Sequence, residues 1–130
     1  MAARKTADAL LRVMTPDGSI PGRLQSDFTP SVSWVCLTGS AQIALCWMIL
    51  YRITGKAAYL DAARNANRFL RRCVRCDGPQ ETRGGVKGSF PVDGDYASFS
   101  YPNWACKFFI DSNRMELGLL TSAAQGKSPG

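Results

Sequence analysis

The chain has 130 residues, the size of one ordinary domain, with 16 Lys plus Arg against 10 Asp plus Glu and a formal charge of +6. Apolar residues at 45% and charged residues at 20% describe a globular composition and argue against disorder across the chain. Histidine is absent, which excludes His-based acid–base catalysis, Ser-His-Asp and Cys-His triads, and HExxH zinc sites.

In residues 2–14, Ala7, Leu10, Leu11 and Met14 recur at three- and four-residue spacing opposite Arg4, Lys5, Asp8 and Arg12. That periodicity predicts an amphipathic helix, stopped by Pro16-Asp17-Gly18. A Gly/Pro-punctuated loop then runs to about Ser33. From Leu37 to Ile53 nearly every position is apolar or small, which predicts a helix enclosed on all sides, ended by Gly55. Trp34 to Tyr51 carries no charge, but the cleanly apolar run begins only at Ile43 and stops at Arg52. That is too short for a bilayer and suits a buried helix, so no membrane span is expected. Residues 56–74 read as a second amphipathic helix. Leu60, Ala63, Ala66, Leu70 and Cys73 form its apolar stripe, and Arg64, Arg68, Arg71, Arg72 and Arg75 a solvated outer face. A long loop rich in Gly, Pro, Asp and aromatics follows from about Asp77 to Pro102. The last helix is expected over 103–120, with Trp104, Phe108, Phe109, Ser112, Met115 and Leu119 inward. Residues 1–120 thus make one helical domain, and 121–130 a disordered tail.

Cys36, Cys46, Cys73, Cys76 and Cys106 are odd in number and irregularly spaced. Reduced thiols in a cytoplasmic protein are the simpler expectation, and no secretory leader pattern occupies the first residues. Cys73-Val-Arg-Cys76 has no second pair to complete a zinc site and no preceding strand for redox chemistry, so neither metal nor cofactor is expected.

The chain also resembles itself. Gly18-Ser-Ile-Pro-Gly22 has a counterpart in Gly84-Gly-Val-Lys-Gly88, and the same offset of 66 pairs Leu24 with Phe90 and Asp27 with Asp93. Each copy leads into an apolar helix, with the amphipathic helix 56–74 between them, which predicts a modular helical array. Two glycine-gated loops would then enter equivalent inner helices from the same end.

The strings DGSIPGRLQSDF, SWVCLTGSAQIALCWMILYRITGKAAYLDAA and GGVKGSFPVDGDYASFSYPNWACKFF carry a family resemblance. Asp17 to Glu116 resembles the α/α-toroid repeat proteins of the six-hairpin glycosidase and terpenoid-cyclase type, and among them those of bacterial polysaccharide metabolism. The resemblance implies an all-α fold of antiparallel helical hairpins, a partial toroid with long Gly-rich loops. A complete ring needs many more helices than are read here, so the chain is expected to be two hairpin units of a larger ring or one of several chains that build it. The implied function is binding or processing of a glycan, or another small-molecule ligand, in a loop-lined cleft, through glycoside-hydrolase-like or polysaccharide-modifying chemistry.

Within that frame Asp27 and Asp93 are the candidate catalytic pair, because glycosidic cleavage takes two carboxylates, one with a raised pKa. The competing reading is that loop aspartates close Asx-turns. Trp34, Tyr96, Tyr101 and Trp104 are candidate stacking surfaces for sugar rings. Arg23 and Lys87 are candidate partners for a uronate or phosphate, and Asp95 completes the ligand-binding set. The alternative function is a non-catalytic interaction module that forms homo-oligomers through an exposed inner helix face, using Trp47, Met48 or the face of helix 104–119. A weaker third reading, anionic-polymer binding through the Arg stripe, leaves nucleic acid an unlikely partner.

Overall fold

The computed structural model describes residues 2–126. It is mostly helical: α1 (Ala2–Val13), α2 (Leu37–Thr54), α3 (Ala57–Cys73) and α4 (Asn103–Ala124), with two-residue strands β1 (Val35–Cys36) and β2 (Ser89–Phe90). The strands pair antiparallel, Val35 opposite Phe90 and Cys36 opposite Ser89.

α2 begins where the Cys36 Sγ accepts the Gly39 N–H at 3.3 Å. It ends at Gly55, whose φ of 69° and N–H bond to Tyr51 O close the last turn in the left-handed conformation. Lys56 alone then separates Gly55 from α3, so the two helices form a tight antiparallel hairpin. Their pairing is visible in the core. Ala44, Trp47 and Met48 of α2 pack with Tyr59, Ala62, Ala63 and Ala66, while Leu37 and Ala41 pack with Phe69, Leu70 and Cys73. The alanines let the helix axes approach closely. α4 joins with Ala105 in the second cluster and Met115 and Leu119 against the first, so it runs parallel to α2.

Between α3 and α4 the contact is polar. Asn67 and Ser112 are fully buried. Asn67 Nδ2 donates to Glu116 Oε2 at 2.8 Å and to Ser112 O at 3.2 Å, and Ser112 Oγ donates to Asn67 Oδ1 at 2.8 Å. Arg71 adds a 3.0 Å bond to the same Glu116 oxygen and a 2.6 Å bond to Asn113.

Several expectations change here. Trp47 and Met48 are fully buried within the chain and present nothing to a second copy. Trp47 Nε1 instead donates to Ala7 O at 3.1 Å, which seats α1 on α2. α2 is not enclosed all round, for Gln42, Cys46, Ile49 and Ile53 are exposed along one side of it. The Arg stripe of α3 is not simply a solvated face. Arg71 binds α4, Arg72 donates to Asp17 O at 2.7 Å and Arg75 pairs with Asp77. α4 continues to Ala124, past Leu120, because Thr121 Oγ1 bonds Leu117 O and no breaker occurs before Gly126. Residues 127–130 of the expected tail lie outside the described residues. No described helix is long and apolar enough to cross a membrane.

Candidate functional site

β1 runs directly into α2, so whatever flanks β1 stands at the N-terminal end of that helix. Along one edge Pro21 bridges Val35 and the Gly22 N–H donates to Trp34 O at 2.8 Å. Along the other lie Ser89 and Phe90, and the Leu37 N–H donates to Gly88 O at 3.1 Å. Gly22 and Gly88 therefore meet at one end of the helices, although 66 residues separate them.

Trp34 sits at the junction. A Cβ on Gly22 would stand 2.2 Å from its ring, and one on Gly94 would stand 3.0 Å from its Cβ and 2.6 Å from Ser89 Cβ. No real Cβ fits at such distances, so the two loops each supply a glycine to close on one tryptophan. The Arg23 guanidinium lies 5.8 Å from the Trp34 ring centroid, within cation–π range. Its Nη2 reaches Asp95 Oδ2 at 3.1 Å, an ion pair joining the loops with both side chains well exposed. Ser89 is fully buried. Its Oγ donates to Tyr96 O at 2.7 Å and accepts the Tyr96 N–H at 3.2 Å, which holds the segment carrying Tyr96. Tyr96 OH then accepts the Trp104 indole N–H at 3.0 Å. Trp104, on the first turn of α4, stays 50% exposed and is the open ring of this group.

Five expected residues thus come together: Arg23, Trp34, Asp95, Tyr96 and Trp104. The others do not join them. Asp27 Oδ1 accepts from the Thr29 N–H at 2.9 Å and the Thr29 hydroxyl at 2.7 Å, closing the turn at the tip of the first loop. Those bonds, the hydroxyl's first, hold its carboxyl below the ordinary value, opposite to what a general acid needs. Asp93 is exposed, and no hydrogen bond or ion pair brings it to Asp27. Lys87 and Tyr101 line a separate small pocket with Arg75 and Asp77. No group of three or more metal-ligating side chains occurs among the described residues. Cys73 is buried, which pushes its thiol up to about 11, and all five cysteines are free.

Backbone strain follows the same map. Among the described residues the non-glycine positions with positive φ are Phe28 (67°), Ala97 (46°) and Phe99 (53°), all in the two loops. Such conformations persist only where surrounding structure imposes them, and they concentrate at functional sites. Ser89 belongs to this mouth through its bonds to Tyr96, although no motif marks it in the sequence, and Phe99, 74% exposed, lies on the same loop. The only signal was the aromatic and hydroxyl alternation of Ser98-Phe99-Ser100-Tyr101. Compared with known protein families, curated proteins and solved structures, the chain matches none.

Proposed function

We propose that this chain contributes a glycan-binding mouth of the α/α-toroid kind, formed by the two glycine-gated loops at the N-terminal end of α2. The observation that carries the reading is the cross-tie of the loops: Arg23 paired with Asp95 over Trp34, beside the open Trp104–Tyr96 pair. Sugar recognition needs an apolar ring for the C–H face and planar polar groups for hydroxyls, and this mouth supplies both within bonded reach of each other. Binding is favoured over cleavage, because Asp27 is committed to its turn and held ionised. The reading keeps the chain in the cytoplasm, on the odd count and irregular spacing of its cysteines. Titrating intrinsic Trp fluorescence with neutral and acidic oligosaccharides tests it. A saturable change is expected, weakened at least about tenfold by Trp104→Ala, as aromatic truncation at a binding hot spot typically does. A flat response to both classes of oligosaccharide refutes the reading.

A second reading, a protein-interaction module, is favoured by one observation. α1 and α2 form an open groove of about 410 Å³ lined almost wholly by carbon, with Leu10, Ile43, Cys46, Ile49 and Leu50. Ile53 beyond it is 73% exposed. Self-association through this side predicts a concentration-dependent mass in sedimentation that Ile49→Lys abolishes. Monodisperse monomers at high concentration would count against it.

A further inference from the structure

The small pocket that took Lys87 and Tyr101 away from the mouth has a chemistry of its own. It lies where the chain leaves α3, has a volume of about 90 Å³, and is lined by Arg75, Asp77, Thr82, Gly85, Lys87 and Tyr101 among others. That is ample for one small polar group, since a single water needs only about 10–15 Å³ measured the same way.

Its charges do not cancel. Arg75 is used: Nε and Nη2 reach the two oxygens of Asp77 at 3.3 and 3.4 Å. The partial negative charge at the C-terminal end of α3 is met by Arg71 and Arg72 in its last turn. Lys87 is left over. It is half-buried, and no hydrogen bond or ion pair engages its ammonium. An ammonium taken partly out of water with three idle donors carries a desolvation cost that an anion would offset. Tyr101, 40% exposed, also lines the pocket, and no hydrogen bond engages its hydroxyl.

The walls are fixed in advance. The Gly84 N–H donates to Arg75 O at 2.8 Å, the Gly85 N–H to Thr82 O at 3.1 Å and the Arg83 N–H to Pro79 O at 3.0 Å, so residues 79–85 fold back onto the end of α3. Tyr101 is packed onto Gly85 so closely that a Cβ there would meet its Cδ1 at 2.6 Å. The absent side chain at 85 is what lets the phenol close the pocket.

We propose that this pocket binds a single oxyanion group, a carboxylate or a phosphate, with Lys87 as its principal partner and Tyr101 as a neutral donor, beside the Arg75–Asp77 pair. The site stands apart from the glycan mouth, sharing none of the residues that join Arg23, Trp34, Asp95, Tyr96 and Trp104. If the mouth binds sugars, the two together select an acidic one; if it does not, the pocket still takes its anion.

The test is an NMR titration of the full chain with inorganic phosphate, with galacturonate and with neutral methyl glucoside, following the Gly84, Gly85 and Lys87 amides. One of the two anions at least is expected to shift these amides saturably, and the neutral sugar to leave them unmoved. Galacturonate binding the tighter identifies a carboxylate source, and phosphate the tighter a phosphate source. Lys87→Met is expected to weaken binding at least tenfold, Lys87→Arg to restore most of it, and Lys5→Ala, an exposed cation on α1, to change it less than twofold. Gly85→Ala, which displaces Tyr101 while keeping every charge, is expected to weaken it several-fold. Amides unmoved by both anions at tens of millimolar overturn the proposal, as does equal affinity in folded Lys87→Met. A failure at the mouth appears separately, as an unchanged Trp104 indole signal on adding oligosaccharide.

Discussion

Arg71 meets Glu116 at 3.0 Å and Arg23 meets Asp95 at 3.1 Å, each across more than forty residues of chain, yet the surroundings of the two pairs are opposite. The Glu116 side chain is only 9% exposed and also accepts from fully buried Asn67, whereas Arg23 and Asp95 are 58% and 76% exposed. The α3–α4 seam is therefore a structural device. Asn67, Ser112 and Glu116 have left water, although Arg71 stays 45% exposed, so removing one of the buried three strands the others. The loop mouth loses almost nothing when its pair opens, because water re-solvates both ions. A pair that is cheap to open is suited to a place where a ligand must displace it.

Breaking the seam should have the largest effect. Asn67→Ala leaves Ser112 and Glu116 short of their partner and is expected to destabilise by about 3 kcal/mol in urea unfolding, the scale of stranded buried polar groups. A change under 0.5 kcal/mol, on the order of an exposed site, would erase the contrast.

The buried side of α3 also sets an alkaline limit. Cys73 ionises at about 11 in the folded chain and near 9.0 when unfolded, through burial of its thiol. Below pH 9 both states hold the proton and stability is undiminished. Between 9 and 11 the unfolded chain alone releases it, so stability falls, by up to about 2 kcal/mol. Cys73→Ala should flatten that part of the pH profile relative to the parent.

Thr38 lies in the first turn of α2, behind the mouth. Its hydroxyl is the buried side-chain polar atom without a partner among the described residues. Thr38→Val keeps the shape and removes the orphan, and is expected to stabilise by about 1 kcal/mol. Thermal unfolding that shows a loss instead would mean the hydroxyl is satisfied in solution.

The smallest stability effect belongs to the mouth. Arg23→Ala is expected to cost no more than about 0.5 kcal/mol, as exposed pairs do, while weakening oligosaccharide binding several-fold. A destabilisation as large as that of Asn67→Ala would make the cross-tie a structural element like the α3–α4 seam.

Much of the helical layout was legible because its signal is local. The stripe of Leu60, Ala63, Ala66, Leu70 and Cys73 needs only a period of 3.6 to be seen, and the observed α3 lies within one residue of the expected bounds at each end. Gly55 announced the end of α2 for the same reason. The mouth was half legible. Glycine spacing pointed to two comparable loops, and five of the nine site residues named from sequence lie together there. Lys87 and Tyr101 were misgrouped because their pocket depends on how residues 79–85 fold back onto α3, a contact that no periodicity encodes. Asn67 was invisible, since a polar residue on an apolar helix face reads as an exception until its partners on another helix are known.

Local pattern along the chain was enough to place the four helices, to end α2 at Gly55, and to exclude histidine chemistry, though not to find the last turn of α4. Those properties follow from nearest neighbours along the chain and from residue types alone. Tertiary structure alone decided that Trp47 and Met48 face inward while Ile49 and Ile53 stay outside. It also decided that Asp27 serves a turn and that Arg23 finds Asp95. Each of those outcomes depends on which surface a distant segment covers, and coverage is a property of packing in three dimensions.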